Sequence, residues 1–199
     1  SALAVMAAWD GEGETETEAG LLYRDPRLPG LGLRLILPRE SVAEAAKELG
    51  AALVDAADYE AHRIALGVPR GGIDFTYGEA FPHEADMDQL HGVDFDKGCY
   101  VGQEVVSRMQ HRGTARTRIV LASYEGAAPE AGAAIVAGGK TIGLAGSSMQ
   151  GRGIALVRLD RLEDALASGA ALTAGGVPLR LAKPAWAQFD WPGKREPAN

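Results

Sequence analysis

Cysteine is nearly absent: Cys99 stands alone among 199 residues. That excludes an intrachain disulfide. It also excludes a metal–sulfur centre held by this chain's thiolates alone, since such centres take about four. A reducing compartment follows as the expected setting, cytoplasmic, or the mitochondrial matrix if the source is eukaryotic. Aromatic residues make up only 6% of the chain, too few for the several exposed rings on which nucleic-acid bases stack. No run approaches the ~18 consecutive apolar residues of a membrane-spanning helix, so no membrane partner is expected. Residues 1–20 contain neither Lys nor Arg, and no signal peptide is visible. The chain opens on Ser1 without a Met, the pattern of a processed or partial product.

What is present is a globular composition, 46% hydrophobic and 24% charged, with length for one large domain or two small ones. The net charge of −7 is unevenly spread. Asp10, Glu12, Glu14, Glu16 and Glu18 form an acidic opening. Within residues 97–118, by contrast, Lys97, Arg108, Arg112, Arg116 and Arg118 face Glu104 alone, with His111 beside them. An acidic chain with one basic stretch suggests a local anion site, not general nucleic-acid affinity. A solvated helix face is the plainer alternative.

Leu3–Trp9 reads as a short buried strand, and the acidic run to Gly20 as an exposed loop. Leu31–Leu37 reads as a strand stopped by Pro38. Ser41 and Glu44 have the spacing of a capping box for a helix that ends before Gly50. A second helix is predicted over about 56–66, capped by Asp55 and closed by Gly67. Residues 68–96, rich in Gly, Pro and Asp, read as an irregular connection. A third helix spans about 103–112, with Val101, Val105 and Met109 on its core face. After Gly113 the pattern changes to six short strands separated by glycine turns, notably Gly138-Gly139 and Gly175-Gly176. One short helix, about 162–167, interrupts them, with Asp160 and Glu163 as its caps. Short strands at this spacing predict a small antiparallel barrel or sandwich, with the boundary between 113 and 114.

The most distinctive stretch is Lys97-Gly98-Cys99-Tyr100-Val101-Gly102-Gln103-Glu104. Two glycines let its backbone turn sharply. The loop runs straight into a helix start, where free N–H groups and the helix dipole favour an anion. Lys97 adds a cation two residues before the thiol. Together these features favour a reactive thiolate at Cys99, against the alternative of a small buried hydrophobe.

This stretch resembles the signature of the YgfZ family of folate-binding proteins, similar in fold to the aminomethyltransferase (T protein) of the glycine cleavage system. Asp25-Pro26-Arg27 with Leu31-Gly32-x-Arg34, the segment from Arg63 to Pro69, and Phe81-Pro82-His83-Glu84-Ala85 resemble further parts of that family. The resemblance implies an α+β fold in two parts. Residues 1–113 would be the remaining portion of a T-protein-like folate-binding body, and 114–199 a C-terminal antiparallel β-barrel with its tail. It implies an accessory factor for iron–sulfur protein assembly or repair, binding tetrahydrofolate or a derivative, with client or assembly proteins as partners. The first part of the folate-binding body, on the order of a hundred residues at ordinary domain scale, is missing from this sequence and counts as a further partner. On this resemblance Cys99 is the reactive thiol. Glu84 takes the pterin, Arg63 supports that acid, and Lys97 and Arg108 take the anionic tail. Tyr100, Gln103 and Glu104 complete the folate contacts.

Two alternatives stand beside this reading: from the same likeness, an aminomethyltransferase moving a one-carbon unit to tetrahydrofolate, and, from the basic stretch beside a small barrel, an RNA-binding or tRNA-modification accessory module. The T-protein pattern Thr-Gly-Glu is absent, so a glycine cleavage enzyme is not expected. Neither is direct nucleic-acid binding, since only Tyr100 and Tyr124 could stack near the basic stretch. A Cys–His hydrolase would need His62, His83, His91 or His111 aimed at Cys99, and the spacing selects none. His83, Glu84, Asp86, Asp88 and His91 cluster without metal-ligand spacing and read as a solvated acidic turn, with no metal expected.

Overall fold

A computed structural model describes residues 2–10, 20–112 and 115–193. The acidic run over 11–19 and Gly113 lie outside the described residues. The chain divides into two compact units, Ser1–His62 and Arg63–Asn199. The expected border between 113 and 114 falls inside the second unit.

In the first unit, strands β1 (Leu3–Ala8), β2 (Leu21–Arg24) and β3 (Leu33–Pro38) form an antiparallel sheet in the order β1-β3-β2. Alternate residues of β3, Leu35 and Leu37, pack with Ala45 of helix α1 (Val42–Glu48) into a small core, joined by Met6, Leu22, Val42 and Leu49. The expected buried strand at the start is an edge strand. β1 pairs only with β3 among the described residues, which leaves Leu3 and Val5 about two-thirds exposed, at 66% and 67%. The capping box at Ser41 is not made either. A 3₁₀ turn over Arg39–Ser41 leads directly into α1, so Ser41 is already helical and its side chain caps nothing. Gly50 ends that helix in the left-handed region, at φ 63°.

Helix α2 (Ala56–Leu66) matches its prediction and stops at Gly67, φ 77°. Turns and coil then occupy most of 68–102, which includes the irregular connection expected over 68–96, apart from one isolated bridge between Gly71 and Phe75. Helix α3 (Gln103–Arg112) follows. Its buried face differs from the expected one. Val106 packs inward, whereas Val105 is 44% exposed and Val101 fully so. Val101 lies before Gly102, which at φ 87° precedes the helix start at Gln103, so Val101 is not on the helix and shares no helical face with Val105.

Strands β4 (Thr117–Ser123), β5 (Ala134–Ala137), β6 (Lys140–Met149), β7 (Arg152–Arg158), β8 (Leu172–Ala174) and β9 (Val177–Ala182) close into an antiparallel barrel, order β4-β7-β6-β5-β8-β9. Each predicted strand is present. The Gly138-Gly139 and Gly175-Gly176 pairs adopt the positive φ angles that two-residue hairpins require. Inward residues such as Val120, Ile135, Ile142, Ala155 and Val157 fill the barrel, and Leu162 of helix α4 (Leu159–Ala167) packs against them. The N-cap position of α4 is Arg158, whose side chain makes no capping hydrogen bond. Asp160, expected as a cap, is bound by Arg158 at 2.6 and 2.9 Å, which lowers its carboxyl to about 2.

Candidate functional site

The Cys99 loop sits at the start of α3. Asp94 Oδ1 accepts the backbone N–H groups of Asp96 and Lys97, at 2.9 and 3.1 Å, fixing the loop's entry. Gln103 Oε1 accepts the N–H of Tyr100 at 3.0 Å, fixing its exit. Between these two pins Cys99 is exposed, so it is not the buried hydrophobe that its residue type often is. Lys97 Nζ lies 5.1 Å from the centre of the Tyr100 ring, a cation–π distance. Glu104 and Arg108 are exposed on α3. The structure thus gathers Lys97, Cys99 and Tyr100 in one loop, with Gln103 at the start of α3 holding the loop's backbone.

Arg63 is elsewhere and buried. Its Nη1 donates to Val68 O at 2.6 Å and to Asp74 Oδ2 at 3.0 Å, and its Nη2 to Ser147 Oγ at 2.9 Å. The acid it supports is therefore Asp74, not Glu84 as expected. Asp74 also accepts Arg70 N at 2.7 Å and Ser147 N and Oγ at 2.6 and 2.7 Å. Glu84, half-buried, accepts the N–H of Phe81 at 3.0 Å and so closes its own turn. Those local bonds outcompete a long-range Arg63–Glu84 pairing.

The turn that was expected to be solvated is mostly internal. His83 and Asp86 are buried, and Arg118 of β4 reaches into the turn. Its Nη1 donates to His83 O at 2.7 Å, Asp88 Oδ1 at 2.7 Å and Asp86 Oδ1 at 3.2 Å. This removes Arg118 from the exposed basic stretch. Burial pushes the Asp86 carboxyl up to about 8; Arg118 opposes the shift and Asp88 adds to it. His83 Nε2 meets Gln110 Oε1 of α3 at 3.0 Å. Among the described residues no group of His, Cys, Asp and Glu has metal-binding geometry. Two of the four histidines offered as partners for Cys99 are engaged elsewhere: His83 with Gln110, and His62 with Gly30 O at 2.8 Å while stacked on Trp9.

In the first unit, Asp25, Arg27 and Arg34, which the sequence singled out together, do meet. Asp25 accepts from Arg27 at 2.7 and 3.0 Å and from Arg34 at 2.8 Å, and Arg34 also donates to the Tyr59 hydroxyl. Burial raises the Asp25 carboxyl, but the two guanidinium groups outweigh it and hold it at about 2. A cavity of about 820 Å³ opens nearby between β1, α1 and residues 51–56. None of the eight residues named for the thiol and the folate lines it. Sequence reading missed Asp74, Gln110 and the inward role of Arg118. Only Gln110 carried a local signal, because Gln103, Val106 and Gln110 share one helix face.

Residues 116–189 match the C-terminal beta-barrel domain of CAF17. The chain is 34% identical over 153 residues to the iron-sulfur cluster assembly factor IBA57, mitochondrial, of Homo sapiens, covering 74% of this chain and 42% of the relative. It is 42% identical over 121 residues to the IBA57 homolog, mitochondrial, of Mycosarcoma maydis, covering 60% of this chain and 30% of that one. In structure it resembles glycine cleavage system aminomethyltransferase T from Bartonella henselae, with TM-score 0.60 and 16% identity over 89% of this chain and 52% of that chain. The chain spans less than half the length of these curated relatives. The fold is α+β and aminomethyltransferase T-like, carrying a closed six-stranded antiparallel barrel, as the sequence led us to expect.

Proposed function

We propose that this chain acts in iron–sulfur cluster assembly or repair, with the Cys99 loop as its working part. Its likeness to the IBA57 proteins supports the role. The observation that carries the loop's part is the exposure of Cys99 between two backbone pins. An exposed thiol on a held loop can lend one thiolate to iron, or to a cluster completed by a client protein's own ligands. The cluster is cargo here, and client or assembly proteins are the partners. The relatives' description as mitochondrial supports the matrix setting over the cytoplasmic one.

Cys99→Ser is the direct test. It keeps size and exposure while removing the sulfur, so the melting temperature should stay within a few degrees. Recovery of iron–sulfur enzyme activity in cells that depend on this protein should be lost. Full recovery by the Ser variant overturns the reading.

Tetrahydrofolate fits the residues present only in part. Arg63 and Glu84 are engaged inside the chain, which leaves Lys97 and Arg108 as exposed cations suited to folate carboxylates. In calorimetric titration the 199-residue chain should therefore bind tetrahydrofolate weakly. A Kd of about 1 µM or tighter would show a more complete pocket.

A further inference from the structure

Helix α3 carries the Cys99 loop at its start, yet most of its described side chains face solvent. Glu104, Val105, Ser107, Arg108 and His111 are all exposed. Val106 is its buried side chain, 6% accessible. One turn further along the same face, Gln110 offers its carbonyl oxygen to His83 Nε2 at 3.0 Å. Three positions before Val106, that face also carries Gln103, whose Oε1 holds the N–H of Tyr100. Gln110 and Gln103 are thus about 10 Å apart along the axis, at 1.5 Å per residue.

His83 is itself fixed from the other side. It is 1% exposed, and its carbonyl accepts Arg118 Nη1 from β4 at 2.7 Å. Arg118 is anchored in turn by Asp88 and Asp86. The ring has Phe95 6.1 Å away, centre to centre. Because Gln110 Oε1 can only accept, His83 must carry its proton on Nε2. The remaining nitrogen, Nδ1, is buried and has no hydrogen-bond partner among the described residues. A buried unpartnered nitrogen costs stability. Leucine of similar bulk would serve packing alone at least as well, so the Nε2 donor is what histidine adds here.

We propose that His83 is a positioning residue for the Cys99 loop. It links the barrel's Arg118 to α3 through Gln110, and so holds the loop at a fixed place relative to β4. This rests on the reading of Cys99 as the working thiol only for its functional meaning; the mechanical link is testable alone.

Replacing His83 by Leu removes the donor and the unpartnered nitrogen together, so the melting temperature should move by only a few degrees. Backbone amide exchange at Tyr100, Gln103 and Val106 should accelerate about tenfold, while β4 and β7 amides are unchanged. His83→Gln, which can still donate to Gln110, should restore slow exchange. Gln110→Ala, on the solvent side of the contact, should reproduce the His83→Leu pattern and covers the case in which that variant fails to fold. Unchanged exchange in either variant, or a His83→Gln protein as fast as His83→Leu, overturns the link. Accelerated exchange together with full cellular activity of Cys99→Ser upholds the link and removes the thiol reading instead.

Discussion

Asp74→Asn should cost the second unit about 3–5 kcal/mol, a loss typical of breaking a buried ion pair at one end. Two donors converge on each carboxylate oxygen. Arg63 Nη1 and Arg70 N approach Oδ2, and Ser147 N and Oγ approach Oδ1. Whichever oxygen becomes an NH₂ group then faces two donors, and the charge opposite a buried guanidinium is gone. Asp74→Glu offers no rescue, because the carboxylate is hemmed in: a Cβ on Gly146 would lie 2.5 Å from Oδ1. Urea unfolding measures the effect. Since whole domains are stable by only about 5–15 kcal/mol, the variant should sit near the edge of folding. A double-mutant cycle with Arg63→Met should show strong coupling, the double variant losing clearly less than the sum of the singles. A loss below about 1 kcal/mol in Asp74→Asn would mean the network is not the stabilising feature its geometry implies.

That network also shows why the fold was more legible than the site. Helix α2 announced itself through spacing and a terminal Gly67, and the barrel through its Gly-Gly hairpins, because those signals are local. Arg63 and Asp74 are eleven residues apart, joined through an irregular turn, and Ser147 arrives from β6. No local pattern pairs them. Val101 and Val105 misled for a related reason: apolar spacing identifies a helix face but not whether anything packs on it. β1 follows the same rule, since an unbroken apolar run over Leu3–Ala8 says strand but not central strand. The acidic turn at 83–91 looked solvated because its counter-ion, Arg118, lies some thirty residues on in a different element. The loop motif was visible as a string of residues. Its two backbone pins and its tether through Gln110 needed coordinates.

Asp86 should make stability fall as pH rises, the reverse of the usual behaviour of a paired carboxylate. In the folded chain it holds its proton up to about 8, chiefly because it is buried, whereas the unfolded value is 3.8. Between those two values the unfolded chain releases a proton that the folded chain keeps. Unfolding is therefore increasingly favoured as pH rises through this window, by about 1.4 kcal/mol per pH unit at most. The contribution is full below 3.8 and lost above about 8. Asp25 has the opposite sign: held at about 2, it adds stability above 3.8 that is lost as pH falls towards 2. Asp86→Asn separates the two. The amide keeps an oxygen towards Arg118 Nη1, places NH₂ at Oδ2, which has no hydrogen-bond partner among the described residues, and tolerates the left-handed φ of 54° found there. Urea unfolding at pH 5, 6.5 and 8 should then show the variant gaining on the parent protein at each step, whereas below 3.8 both proteins should lose the Asp25 contribution alike. Parallel curves for the two proteins would mean that Asp86 is ionised in the fold across the range, with Arg118 outweighing its burial.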